Sequence, residues 1–320
     1  MTPGIPFTVI GGFLGAGKTT LLNRLLRAAA GRRLAVLVND FGALNIDAGL
    51  VASSAGDTIA LTNGCVCCSI GGDLSAALIK VLEAQPPFDA VLVEASGVSD
   101  PWRIAQLGMA APELVLDGVI VLVDASAALA QAADPLLADA LRRPLAQADL
   151  VVLNKTDLVA DGAGLQRVRD WLAEAAPRAP VCETVQAELP LALLSGAALP
   201  HAEACADPGC GHAHHGPEAG PDHGGQFETW CYRPSGLMSA KVLRAVLRDM
   251  PAGVLRLKGI VRTDEHGWAE IQFAGRHGAL RPAGGAPAEG AAVVAIALAD
   301  RLPATALDAV FGAAAAQAQV

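Results

Sequence analysis

The chain has 320 residues, a net charge of −9 and a hydrophobic fraction of 52%, with a mean hydropathy of +0.41. That length suits two domains and a core that needs no disulfide staples. The acidic balance excludes general nucleic-acid binding, and Asp124 breaks the apolar stretch from Val119 before it reaches membrane-span length.

The N-terminus carries no basic segment, and its apolar residues already read as a strand. No secretory signal is therefore expected, and the expected location is cytoplasmic, with the seven cysteines kept as reduced thiols. Phe7–Ile10 reads as a short buried strand. Gly12-Phe13-Leu14-Gly15-Ala16-Gly17-Lys18-Thr19 follows, matching the phosphate-loop pattern G-x-x-x-x-G-K-[ST]. Leu21, Leu22, Leu25 and Leu26 then recur at helical spacing, and Gly31 can end that helix. Further strand-like runs are Leu34–Val38, Thr58–Leu61, Asp89–Glu94, Gly118–Val123, Asp149–Leu153 and Val181–Val185. Helical patterns fall at Leu74–Glu83, Pro101–Gly108, Pro135–Ala146 and Leu165–Ala176. Continuous apolar strands alternating with helices predict an α/β domain with a doubly wound, mostly parallel sheet over residues 1–195.

Composition changes after that point. Residues 196–226 are dominated by Gly, Pro, His and Asp and read as a linker or long loop. Residues 227–320 predict a smaller α+β domain with an antiparallel sheet. Its strands are Phe227–Tyr232, Val254–Val261, Trp268–Ala274 and Ala291–Leu298. Its helices are Ser239–Met250 and one from Ala304, whose Ala-rich end after Gly312 is expected to fray.

The chemistry concentrates in four places. In the phosphate loop, Gly12, Gly15, Ala16, Gly17 and Thr20 shape and line a backbone cradle for phosphates. Lys18 can reach the β- and γ-phosphates, and the Thr19 hydroxyl can bind Mg²⁺. Asn154-Lys155-Thr156-Asp157 ends a strand with the N-K-x-D pattern, which favours GTP over ATP. The Asp157 carboxylate can accept two donors from the guanine edge, while the Lys155 stem can cover the base. Glu94, at the end of another strand, can hold Mg²⁺ or its waters, and Gly97 would let the backbone approach the γ-phosphate. Asp40, in Asn39-Asp40-Phe41-Gly42, is a candidate Mg²⁺ or water-positioning residue. No Gln occupies an obvious water-orienting position, so hydrolysis is expected to be slow.

The fourth place is a thiol cluster, Cys65-Val66-Cys67-Cys68. Thiolates favour Zn²⁺, Cu(I) and related ions, and three of them leave one coordination position open to water, a carboxylate or a partner's ligand. Such a position could be completed across a homodimer. A buried set of thiols and a redox disulfide switch are the competing readings. His201, Cys205, Cys210, His212, His214, His215 and His223 add a second potential metal region, suited to weak, exchangeable sites.

Taken in order, Gly12–Thr20, Gly64–Cys68, Glu94–Gly97 and Asn154–Asp157 resemble the CobW-type metallochaperone GTPases, relatives of HypB and UreG. Arg256-Leu257-Lys258-Gly259 resembles a recurrent segment of the CobW C-terminal domain. The resemblance implies a P-loop NTPase fold, slow GTP hydrolysis and a metal held by the cysteine motif. It also implies transfer of that metal to a client metalloprotein. Zinc is the first choice of cargo, with Co²⁺ or Ni²⁺ as alternatives. The chain departs from the family where glutamates often flank the Asn-x-Phe-Gly core: Val38 and Ala43 stand there instead. Two other functions fit some of the same residues. One is a GTP- or metal-responsive regulatory module with negligible turnover, and the other is a metabolic kinase. The guanine tetrapeptide and the thiol motif count against the kinase.

Overall fold

The computed structural model describes residues 4–28, 32–38, 72–97, 99–189, 193, 227–287 and 290–318. The expected strand Thr58–Leu61 and the helix stop at Gly31 lie outside them. The chain divides into two compact units, residues 4–197 and 198–320 together with 1–3.

The first unit is built on strands β1 (Ile5–Gly12), β2 (Leu34–Val38), β3 (Ala90–Glu94), β4 (Leu114–Asp124), β5 (Leu150–Asn154) and β6 (Val181–Glu183). They form one parallel sheet in the order β2-β3-β1-β4-β5-β6. Every residue of β2, β3 and β5 is buried, as unbroken apolar runs require when helices cover both sheet faces. The helices are α1 (Lys18–Ala28), α2 (Gly72–Glu83), α3 (Pro101–Met109), α4 (Ala128–Ala133), α5 (Ala138–Ala146) and α6 (Gly162–Ala175). Asp100 caps α3 by accepting the Trp102 N–H at 3.0 Å, with Pro101 in the first turn. Asp161 caps α6 through the Gly164 N–H.

The β1 connection leads toward β2, whereas the β3 connection leads to β4 on the other side. The carboxyl ends of the adjacent strands β1 and β3 therefore form the topological switch point, the usual ligand crevice of an open α/β sheet.

Strand β4 starts at Leu114, four residues before the apolar run that begins at Gly118. Asp117 interrupts that pattern in sequence, yet it is buried at a register shift between Phe7 and Thr8, where Thr8 Oγ1 donates to it at 3.4 Å. Helix α4 has too little apolar contrast to be read from its Ala-rich sequence. Helix α5 begins at Ala138 rather than Pro135, and β6 stops at Glu183.

The second unit is a five-stranded antiparallel sheet with two helices. Its elements are β7 (Phe227–Tyr232), α7 (Ala240–Arg248), β8 (Val254–Thr263), β9 (Gly267–Ala274), β10 (His277–Pro282), β11 (Ala292–Leu298) and α8 (Ala304–Gln317). The strand order is β10-β9-β8-β11-β7. Leu243, Val246 and Leu247 of α7 and Leu307, Phe311 and Ala314 of α8 share one core with Trp230, Leu257, Ile271 and Val293. Strand β10 was not among the expected strands, because His-Gly-Ala-Leu-Arg-Pro shows little apolar alternation. Its Gly278 is instead a packing site: a Cβ there would lie 2.7 Å from Leu247 Cβ, so glycine lets α7 sit against the strand.

The expected fraying after Gly312 does not occur before Gln317. Ala314 is fully buried, and its carbonyl accepts the Ser239 N–H at 2.8 Å, which anchors the last turns to the start of α7. Among the described residues no helix is long and apolar enough to cross a membrane.

Candidate nucleotide-binding site

The phosphate loop joins β1 to α1. Gly12, Gly15 and Gly17 take φ values of +136°, +78° and +107°, a region that side chains rarely occupy. A Cβ on Gly12 would collide with the Leu122 carbonyl oxygen, and one on Gly17 with the Asn154 side chain. The two glycines are thus required by close backbone approach as well as by conformation. Lys18 is 7% exposed, and its Nζ donates to the Phe13 carbonyl at 3.2 Å, which keeps the ammonium folded over the loop.

At the switch point Thr19 Oγ1 donates to Glu94 Oε1 at 3.2 Å. Glu94 is 2% exposed and ends β3 in register with Ile10 of β1 and Val38 of β2. The pairing of hydroxyl and carboxylate at the head of α1 is a donor set that fits a hard cation such as Mg²⁺. Gly97 follows and packs on the loop: a Cβ there would lie 2.7 Å from Leu14 Cγ and 2.9 Å from Leu14 N.

The other end of the site is built from β5, β6 and the turns after them. Both ends of the buried Asn154 amide are engaged. Nδ2 donates to the Ala16 carbonyl at 2.9 Å, and Oδ1 accepts the Ala187 N–H at 2.8 Å. Asn154 is therefore a brace between the phosphate loop and the turn after β6. Lys155 adopts left-handed backbone angles (φ 61°, ψ 37°), and its Nζ donates to Asp124 Oδ2 at 2.7 Å. Partial burial works against the Asp124 carboxylate. The Lys155 ammonium and the Ser126 hydroxyl and N–H outweigh it, so its pKa lies below the ordinary aspartate value. Asp157 lies exposed in a single 3₁₀ turn, Thr156–Leu158.

Motif matching does not find the partners of this tetrapeptide. Gln186 and Ala187 have φ values of 52° and 56°, unusual for residues other than glycine. Thr184 accepts from the Thr156 N–H and hydroxyl through its carbonyl, at 3.4 and 3.3 Å, and its own hydroxyl donates to the Glu188 carbonyl at 2.8 Å. Arg24 of α1 lies 3.7 Å from Glu188. The position of this turn, after the strand next to β5, was the available signal.

Glu94, Gly97, Thr19, Lys18 and the loop glycines are brought together at one end of the sheet, with Ala16 tied to Asn154. Thr20 is exposed in the first turn of α1. Asp40, Cys65, Cys67, Cys68, His212, His214 and His215 lie outside the described residues. Among the described residues no three His, Cys, Asp or Glu side chains are grouped to hold a metal.

A parallel sheet with a phosphate loop after its first strand, a buried acid at the switch point and a braced N-K-x-D turn defines a phosphate-loop nucleotide-binding protein. Residues 6–183 match the family model "CobW/HypB/UreG, nucleotide-binding domain", and residues 227–315 match "Cobalamin synthesis protein cobW C-terminal domain". The chain belongs to the CobW/HypB/UreG family.

It is 38% identical over 221 residues to "Zinc chaperone CobW" of Sinorhizobium sp, covering 60% of this chain and 62% of the relative. It is 36% identical over 198 residues to "Zinc chaperone YjiA" of Escherichia coli, covering 59% and 60%. The chain thus spans about three fifths of the length of these curated relatives. The crystal structure of Zn(II)-bound YjiA GTPase from E. coli aligns with a TM-score of 0.45 at 25% identity, covering 98% of this chain and 99% of that one.

Proposed function

We propose that the chain is a GTP-hydrolysing metallochaperone that carries a transition-metal ion, zinc first and Co²⁺ or Ni²⁺ as alternatives, to a client metalloprotein. The observation that carries this reading is the Asn154 brace. One buried amide ties the phosphate loop to the base-side turn, as expected of a site that senses phosphates and base together. Family membership and relatives named zinc chaperones support the metal cargo.

In this reading the N–H groups around Gly12, Gly15, Ala16, Gly17 and Thr20 hold the phosphates, and Lys18 neutralises the β- and γ-phosphates. Asp157 accepts the guanine N–H donors, and Lys155 lies along the base. Thr19 and Glu94 would hold Mg²⁺, which supplies charge neutralisation across the phosphate oxygens when bound. Water attacks the γ-phosphorus, the bond to the β–γ bridging oxygen breaks, and GDP and phosphate leave. Asp40 positions that water or the cation. Turnover is slow and serves as a timer.

The cargo sits on Cys65, Cys67 and Cys68, and His212, His214 and His215 in linker 196–226, which joins domain 1–195 to domain 227–320 in sequence, collect metal weakly. The protein works in the cytoplasm, and a homodimer can complete the metal's coordination.

The test is metal affinity in the nucleotide-free, GTP-analogue and GDP states at fixed Mg²⁺. A coupling of ~1–3 kcal/mol corresponds to roughly 5- to 150-fold and must be reciprocal. Replacing the three cysteines by serine should abolish the difference but keep nucleotide binding. Equal zinc affinity in all three states would overturn nucleotide-gated transfer. Coupling without measurable turnover would favour the regulatory module.

A further inference from the structure

Ser96 stands between two residues already placed at the phosphate end of the site. Two positions before it, Glu94 meets the Thr19 hydroxyl at 3.2 Å. Directly after it, Gly97 packs on Leu14 of the phosphate loop. Ala95 between them is fully buried in the core with Leu37, Val91 and Val93, and its N–H continues the ladder to the Ile10 carbonyl at 2.8 Å. The two-residue alternation of an extended segment therefore puts Ser96 on the Glu94 side, toward α1 and the loop.

The backbone of Ser96 takes part in this turn. Its carbonyl accepts the Ser99 N–H at 3.1 Å and the Ser99 hydroxyl at 3.0 Å. Its side chain is different. The residue is 7% exposed, and its Oγ is buried with no hydrogen-bond partner among the described residues. A buried hydroxyl left in this condition is unfavourable, and native proteins keep such groups rarely and for a reason. A hydroxyl can donate one hydrogen bond, and an anionic oxygen is the acceptor that makes that bond strongest.

We infer that the Ser96 hydroxyl is a side-chain contact to the terminal phosphate of the bound nucleotide, and that it helps the protein distinguish GTP from GDP. This rests on the reading of the site as a GTP site. Gly97 permits close approach of the backbone, whereas Ser96 supplies a donor that GDP leaves without its acceptor.

The experiment titrates the full chain, at fixed Mg²⁺, with a non-hydrolysable GTP analogue and with GDP. Wild type, Ser96→Ala and Ser96→Thr are compared. Ser96→Ala should weaken the analogue roughly tenfold, the scale of one charge-assisted hydrogen bond, and leave GDP unchanged. Ser96→Thr keeps the hydroxyl and should retain the preference. The melting temperature of nucleotide-free Ser96→Ala should equal or exceed that of wild type, since no bond within the protein is lost. Equal weakening of both ligands, or of neither, overturns the assignment. If wild type prefers the analogue and Ser96→Ala keeps the same ratio, the Ser96 contact fails while the GTP site stands. If wild type binds neither ligand, both fail.

Discussion

Asn154→Ala tests whether the two ends of the nucleotide site are held by one side chain. The substitution removes an amide that is 2% exposed and makes two hydrogen bonds, at 2.9 Å to the Ala16 carbonyl and 2.8 Å from the Ala187 N–H. Ala16 and Ala187 are themselves 1% and 0% exposed, so the groups left behind are poorly placed to find water. A buried donor or acceptor stripped of its partner costs about 1–3 kcal/mol, so two amount to ~2–6 kcal/mol. That is a large share of a typical domain stability of about 5–15 kcal/mol.

The loss should concentrate where the brace acts. Native-state amide exchange around residues 13–17 and 184–188 should accelerate at least about thirtyfold, the equivalent of ~2 kcal/mol. GTP affinity should fall with it. Asn154→Asp is a sharper version: the carboxylate can still accept from Ala187 but presents an anion to the Ala16 carbonyl. It should lose nucleotide binding at least as fully as the alanine variant. Unchanged exchange at both segments, with unchanged GTP affinity, would refute the brace.

Two further predictions follow from ionisable groups. The folded pKa of Asp124 lies below its unfolded value, so its pairing with Lys155 stabilises the fold fully above about pH 3.9, and the contribution is lost as pH falls through the lower folded value. The stability difference between wild type and Asp124→Asn should therefore be present at about pH 6 and shrink toward about pH 2; a constant difference would count against the ion pair. Burial pushes the Cys182 thiol up to about 12, so in the native protein it should resist alkylation at about pH 8 and react only on unfolding. Rapid native labelling of Cys182, mapped by mass spectrometry, would contradict its place in the sheet.

Most of the fold was legible because its strands are continuous apolar runs. Leu34–Val38 could be bounded to the residue, since every side chain in it is buried. The misses have local causes. Asp117 hid the first four residues of β4, because the register shift that accommodates it depends on β1, more than a hundred residues away. Strand β10 was not among the expected strands, since Gly278 and Pro282 dilute its apolar pattern, whereas glycine serves there to admit α7. The Ala-rich end of α8 looked frayed because alanine carries little hydrophobic signal, yet Ala314 is small enough to fit wholly within the core.

The site divides in the same way. Phosphate loops are written in a local glycine pattern, so Gly12 to Thr19 could be read directly. The roles of Asp124 and Ala187 depend instead on strand adjacency. Asp124 is opposite Asn154 because β4 pairs with β5, and Ala187 meets Asn154 because β6 follows at the sheet's edge.

That same adjacency bears on how a nucleotide signal could reach a metal. Val38, the last residue of β2, is in register with Glu94, and Glu94 is in register with Ile10 just before the phosphate loop. The chain bearing Cys65, Cys67 and Cys68 therefore departs from a strand end one rung from the acid that meets Thr19. It rejoins the described fold at α2, whose Leu74, Ala77, Leu78 and Val81 are buried in the core with Leu37 and Val93. The first anchor of the cysteine-bearing segment thus lies on the β2–β3 side of the site, whereas Asn154 ties the phosphate loop to the turn after β6 on the other side. In the proposed reading a change at the terminal phosphate would act on Glu94, Ser96 and Gly97, beside that anchor, while loss of the base would act through Asn154. On the proposed reading, metal affinity should depend on the third phosphate far more than on whether a base is bound, the distinction a metal carrier would need between its loaded and spent nucleotide.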